Sequence, residues 1–176
     1  VSRFVILSGC SGGGKSTLLD ALAERGFTVV PEPGRRIVAE ELAGDGAALP
    51  WIDLAAFARR AVALALDDLA AHRYAPGWVV FDRGLVDAAA ALEHATGASA
   101  AEIVRAGPPL HRTVFLTPPW PEIYVTDAAR QHGFDEAVAE YERLPALYPA
   151  LGFEVVVLPK QSVAKRADLV ERNLSA

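Results

Sequence analysis

The residues best suited to chemistry stand together near the start of the chain, Gly9-Cys10-Ser11-Gly12-Gly13-Gly14-Lys15-Ser16. Their spacing, G-x-x-x-x-G-K-[ST], is that of a phosphate-binding loop. A triphosphate crowds several negative charges onto neighbouring oxygens. Successive backbone N–H groups must turn inward to meet them, and a Cβ would obstruct that turn. Glycine at 9, 12, 13 and 14 removes the obstruction. The following helix aims the positive end of its dipole at the phosphates. Lys15 is expected to reach the β- and γ-phosphates and the Ser16 hydroxyl to ligate Mg²⁺. Gly9, Ser11, Gly12, Gly13, Gly14, Lys15, Ser16 and Thr17 thus form the expected site for ATP with Mg²⁺.

The motif needs a strand before it and a helix after it. Arg3–Leu7 (RFVIL) reads as a buried strand, and Ser16–Arg25 as a helix with Leu18, Leu19 and Leu22 on one face and Gly26 as its stop. Further strands are expected at Phe27–Pro31, Trp78–Phe81, Arg112–Leu116 and Phe153–Leu158. Helices are expected at Arg35–Ala43, after a Pro33-Gly34 break, and at Leu54–His72, opened by Asp53 as N-cap. Leu85–Ala95 is a further helix, and a Ser99-x-x-Glu102 capping box opens another. Asp135–Leu144 is expected to end before Pro145 and Pro149, and Val163–Asn173 closes the chain.

Strands alternating with helices imply an α/β fold of three layers. The expectation is a five-stranded parallel sheet covered by helices on both faces, of the P-loop NTPase type, with residues 1–176 as one domain. Ligands of such sheets sit beyond the carboxyl ends of the strands. That edge receives Ser8–Lys15, Glu32, Asp82-Arg83 and Thr117.

Asp82, after four apolar residues, reads as a carboxylate holding Mg²⁺ or as a base for a phosphoryl acceptor, against the alternative of capping the next helix. Arg83 reads as a clamp on acceptor or phosphate, or as a partner in a salt bridge. Glu32 can take a proton from an acceptor hydroxyl. Arg35 and Arg36 open a helix, where cations are electrostatically misplaced, so at least one is expected to have an anionic partner. Arg130 is the candidate cation of a lid over about residues 118–134, with Asp127, Gln131 and His132 as weaker candidates. Trp51, Trp120 and Tyr124 read as packing residues before stacking ones, and the histidines show no metal-ligand spacing. Cys10 fills a variable loop position and has no assigned chemistry.

Composition bounds the partners. Among 176 residues, 52% are apolar and the formal charge is −5, which disfavours duplex nucleic acid. A single cysteine excludes an internal disulfide framework and suits a reducing cytoplasm. No apolar run approaches the roughly 20 residues of a membrane span, and the first residues lack a secretion pattern.

GCSGGGKST at 9–17, PEPGRRIVAEEL at 31–42, LPWIDLAAFARR at 49–60, VVFDRGLVD at 79–87 and LTPPWPEIYVTDAAR at 116–130 carry a resemblance. The chain resembles the P-loop nucleoside and nucleotide kinase group. It is similar to small bacterial predicted AAA-type ATPases and to nicotinamide riboside kinase domains. The resemblance implies that Glu32-Pro33 is a base-bearing pair and that Asp82-Arg83-Gly84 stands for an acidic-Arg-small triplet, with glycine in place of a serine. It also implies a nucleoside-like acceptor. Fewer arginines surround Arg130 than in such lids, which leaves plain ATP hydrolysis open. Two functions follow. One is a kinase, with Lys15, Mg²⁺ and Arg130 around the transferring group and Glu32 or Asp82 as base. The other is an ATP-hydrolysing switch or sensor read by a protein partner; the guanine-reading N-K-x-D motif is absent.

Overall fold

The computed structural model describes residues 2–124 and 133–176. In chain order the elements are β1 (Phe4–Gly9), α1 (Lys15–Glu24), β2 (Thr28–Val30), α2 (Pro33–Ala43), α3 (Leu54–Ala71), β3 (Val79–Asp82), α4 (Leu85–Thr96), α5 (Ala100–Ala106), β4 (Thr113–Thr117), α6 (Phe134–Ala150), β5 (Glu154–Val157) and α7 (Val163–Ser175). A short 3₁₀ turn, Pro121–Ile123, follows β4. The sheet is parallel throughout, in the order β2-β3-β1-β4-β5. Among the described residues, no helix is long and apolar enough to cross a membrane.

Strand side chains alternate strictly between two helical layers, as a pleat with period two requires. Val5 and Leu7 of β1, Val80 of β3 and Phe115 of β4 face α1 and α7, where Leu18, Leu22, Ala167 and Val170 meet them. Ile6, Val114 and Leu116 face the opposite way, toward Val86 of α4 and Leu144 and Tyr148 of α6. Val79 and Phe81 pack on Ala65 and Leu69 of α3. Alanine at 58, 61 and 65 lets α3 lie close to its neighbours, and α2 packs outside it through Ile37. A fully buried leucine or phenylalanine here is worth about 1.5–3 kcal/mol. The edge strand β5 is the exception to continuous burial: Glu154 and Val157 are exposed.

The register sets the working edge. Leu7 pairs with Asp82, Gly9 with Thr117, and Val30 with Phe81. β1 and β4 therefore end level, with β5 one, β3 two and β2 three residues short of them, and the residues that follow all lie at the carboxyl edge of the sheet.

Two expectations are corrected. Helix α2 begins at Pro33 itself, not after a Pro-Gly break, because proline at the first helical position forfeits an N–H that has no intrahelical partner. Helix α6 continues through Pro145 and Pro149 to Ala150. Both prolines are exposed, so the carbonyls they leave unpaired can be hydrated, while Leu144 and Tyr148 anchor the opposite face. The caps read from the sequence hold: Asp53 Oδ1 accepts from Ala56 N at 2.9 Å and Ser99 Oγ from Glu102 N at 3.3 Å.

Burial and capping differ in magnitude, which gives a direct check. Leu22→Ala should lower stability by about 2–5 kcal/mol, whereas Asp53→Ala should cost about 1 kcal/mol. Urea unfolding midpoints at constant slope would measure both, and equal losses would contradict this assignment of the core.

Candidate active site

The loop after β1 starts from a contact that only glycine permits. A Cβ on Gly9 would lie 2.3 Å from the Thr117 carbonyl oxygen, and the residue has φ +129°. Cys10 N donates to that same carbonyl at 2.8 Å, and Thr117 Oγ1 donates to Ser8 O at 3.3 Å. The loop is thereby tied to the tip of β4. It closes at Gly14, left-handed at φ +80°, which caps α1. Lys15 and Ser16 are the first two residues of that helix; Lys15 is buried and Ser16 exposed.

Lys15 Nζ donates to Cys10 O at 3.1 Å across the loop. Burial, with the Arg83 cation adding to it, lowers the Lys15 pKa to about 8. Burial pushes the Asp82 carboxyl up to about 6, against the pull of the Lys15 ammonium. Asp82 Oδ1 is buried with no hydrogen-bond partner.

Arg83 follows at φ +60°, an unusual backbone for a residue with a Cβ. Such conformations cost about 1–3 kcal/mol and cluster at working sites. The turn sends the guanidinium back over the loop, where Nη2 donates to Gly9 O at 3.2 Å and Nε lies 3.7 Å from Glu32 Oε1. Burial opposes the Arg83 charge, but Glu32, Asp87 and Asp82 together hold its pKa above the ordinary value. Arg35 Nε lies 3.7 Å from the other Glu32 oxygen. Arg36, in contrast, pairs with Asp68 and ties α2 to α3. The expected anionic partner of the two helix-opening arginines is thus present for each.

Two hollows flank the loop. The larger, about 740 Å³, has Gly9 and Ser11 at its base with Glu32, Arg83 and Asp87. Its walls are apolar on the α2–α3 side, from Pro33, Val38, Trp51, Leu54 and Phe57. Glu93, His94, Glu136, Glu140 and Arg143 also line it. The smaller, about 370 Å³, lies on the other side, against Gly12, Gly14, Lys15, Ser16 and Thr17, and is closed by Trp120, Ile123, Gln161, Ser162, Val163 and Arg166.

The structure places Lys15, Glu32, Asp82 and Arg83 near one another. Arg130, Asp127, Gln131 and His132 lie outside the described residues. Trp51 lines the large hollow, half-exposed, and Tyr124 rests on Gly12, whose added Cβ would lie 2.6 Å from the ring. Three polar groups were missed. Asp87, in the first turn of α4, accepts from Ser8 Oγ and from Tyr148 OH, each at 2.7 Å, and so joins β1, α4 and α6 beside the large hollow that it lines. Burial and the neighbouring Asp87 raise the Tyr148 pKa well above its ordinary value. Arg166, 2% exposed, donates from Nη1 to Gly13 O at 3.2 Å and lies 5.2 Å over the Trp120 ring. Asp87 lay in the VVFDRGLVD run, but no local pattern points from residue 148 or 166 to the loop.

The family model described as AAA domain matches residues 4–166. The chain belongs to the AAA domain family. No curated protein matches this AAA domain in sequence. Among solved structures it is similar to deoxyadenosine kinase from M. mycoides with bound dATP, at 13% identity and TM-score 0.68, covering 98% of this chain and 100% of that one. The same enzyme with products dCMP and a flexible dCDP bound matches at 14% identity and TM-score 0.64, covering 98% of each chain. Shikimate kinase from Acinetobacter baumannii in complex with shikimate matches at 18% identity and TM-score 0.57, covering 98% of this chain and 90% of that one. The AAA domain thus has the α/β fold of P-loop kinases.

The shifted groups make a pH prediction. Lys15 is depressed, so its burial cost is fully present below pH 8 and is relieved as pH rises from about 8 toward 10.5. Lys15→Met should therefore stabilise the ligand-free protein at pH 7, by up to about 3 kcal/mol at 1.36 kcal/mol per pKa unit. It should also abolish the thermal shift produced by ATP. Parallel melts of both forms with and without MgATP between pH 7 and 10 would check this, and a retained ATP shift would refute the role of Lys15.

Proposed function

We propose that this AAA domain is an ATP-dependent kinase that phosphorylates a hydroxyl of a small, nucleoside-like metabolite, with residues 1–176 acting as one catalytic unit. The observation that carries the reading is the phosphate loop standing as the shared wall of two hollows. A hydrolase needs only water beside its nucleotide. A second cavity of about 740 Å³, based on the same loop, is large enough for a second substrate. The kinase structures of similar fold include ones with dATP and with shikimate, which supports a nucleotide beside a small acceptor.

In this reading ATP lies along the smaller hollow, with its phosphates on the N–H groups of Gly12 to Ser16 and on Lys15. The acceptor occupies the larger hollow, its ring between the Trp51–Phe57 wall and α4. Glu32 is the base, because it lines the acceptor cavity and Asp82 does not. It takes the hydroxyl proton as the oxygen bonds to the γ-phosphorus and the bond to the β-phosphate oxygen breaks, releasing ADP. Arg83 positions Glu32 and meets the negative charge spread over the transferring oxygens. Arg130 is proposed as a further cation for that group.

The residues fit Mg²⁺. Asp82 has a buried oxygen without a partner, Ser16 is exposed at the loop, and both offer the oxygen ligands this ion prefers. Among the described residues no group of three His, Cys, Asp or Glu is placed to hold a metal ion, so Ser16, Asp82 and the nucleotide's own phosphates would hold it. When bound, it neutralises charge between the β- and γ-phosphates.

Incubation with MgATP and pooled nucleosides, ribosides and hydroxy acids, followed by mass spectrometry, tests the proposal. A phosphorylated product is expected, with ADP release above the basal rate. Glu32→Gln should lower kcat by about 10²–10⁴-fold and leave ATP affinity nearly unchanged. If no acceptor raises ADP release above the basal rate, the kinase reading fails in favour of a hydrolysing switch.

A further inference from the structure

We propose that Arg166, from α7, is a positioning residue for nucleotide binding, acting through the peptide groups of Gly13 and Gly14; this rests on the loop holding a nucleotide, as proposed above.

Its geometry is unusual for a cation beside a phosphate site. The guanidinium reaches two loop carbonyls beside the smaller hollow: Nη1 donates to Gly13 O at 3.2 Å and Nη2 reaches Gly14 O at 3.5 Å. In a planar trans peptide, C=O and N–H point in opposite directions. Arg166 at the Gly13 carbonyl therefore leaves the Gly14 N–H pointing away from the guanidinium, and the Gly14 carbonyl, which also accepts from Leu18 N at 3.3 Å and Thr17 Oγ1 at 3.1 Å, leaves the Lys15 N–H pointing away in the same manner. Those are donors on which a phosphate-binding loop depends. Donation from a charged group also polarises each peptide and strengthens its N–H as a donor.

The site is built around this contact. Gly14 leaves the space: a Cβ there would lie 2.8 Å from Nη2. Trp120 lies under the guanidinium at 5.2 Å from the ring centroid and narrows its freedom to move. Ser162 Oγ accepts from Lys165 N and fixes the start of α7 just before Arg166. Separate ion pairs from Arg25, the C-cap of α1, to Asp168 at 2.8 Å and Glu171 at 2.5 Å hold α7 against the end of α1. A role limited to docking α7 would not require a guanidinium buried to 2% exposure with Nε left without a partner. Arg166 also lines the smaller hollow, so the cation stands at the edge of the space assigned to the nucleotide.

The test compares the full chain with Arg166→Lys, Arg166→Met and Arg25→Ala by calorimetric titration with MgATP and MgADP, and by amide hydrogen exchange without ligand. Arg166→Met should weaken ATP and ADP together by about tenfold or more, the loss of a charge-assisted hydrogen bond. Arg166→Lys should recover part of that affinity. Exchange should accelerate at Gly14 and Lys15 and stay unchanged inside β1. Arg25→Ala should lower the melting temperature and keep nucleotide affinity. If Arg166→Met does not fold, Arg166→Lys decides, by weakened binding with faster exchange at those two amides or by neither. Wild-type-like ATP affinity in the Arg166 variants overturns this inference alone. Absence of ATP and ADP binding by the unaltered chain overturns it together with the proposed nucleotide site.

Discussion

A lysine ammonium is buried at the rim of a parallel sheet, and much around it is arranged to tolerate that charge. Lys15 donates to a carbonyl of its own loop, and Asp82 lies near enough to counter part of its charge while being pushed toward neutrality itself. Buried ions that are incompletely paired cost free energy unless a further partner arrives. A polyphosphate is such a partner: it would satisfy the ammonium, the inward N–H groups and a metal on Asp82 together. Sites of this kind give up stability for binding, and the left-handed Arg83 backbone adds to that cost.

Rigidity at the loop comes from three directions. From within the sheet, Gly9 passes so near Thr117 that no side chain fits, and Cys10 N is bonded to the Thr117 carbonyl. From one helical layer, Arg166 donates to the Gly13 and Gly14 carbonyls. From the other, Ser8 is bonded to Asp87, which Tyr148 holds in turn. These ties fix the donors before a ligand arrives, so little conformational entropy remains to be lost on binding. The Tyr148 tie also explains why α6 runs past Pro145: the residue that reaches Asp87 lies beyond it.

The large hollow has a divided character. Its α2–α3 wall is apolar and aromatic, whereas its base holds the Glu32–Arg83 pair and Asp87. A ring bearing hydroxyl groups suits that division, because it can bury its faces on one side and donate to carboxylates on the other. Arg35 and Arg83 approach the two oxygens of Glu32 from different sides, each at 3.7 Å.

The sequence by itself determined whatever depends on neighbours along the chain. A phosphate-binding loop needs glycines at a fixed spacing, and strand period, helix caps and a parallel sheet with helices on both faces follow from apolar pattern and turn residues. The strand-end rule then placed Glu32, Asp82 and Arg83 on one rim with Lys15. Tertiary structure alone decided what depends on residues distant in sequence. Asp87 joins Ser8 across 79 positions and Arg166 reaches Gly13 across 153, and no local periodicity encodes such meetings. Nor could the sequence show that Arg36 serves Asp68 while Arg83 faces the cavity, since both are arginines at helix or strand ends and only their surroundings differ. Pro145 misled for a related reason: a proline's cost in a helix depends on whether its freed carbonyl meets water, and that is settled by packing.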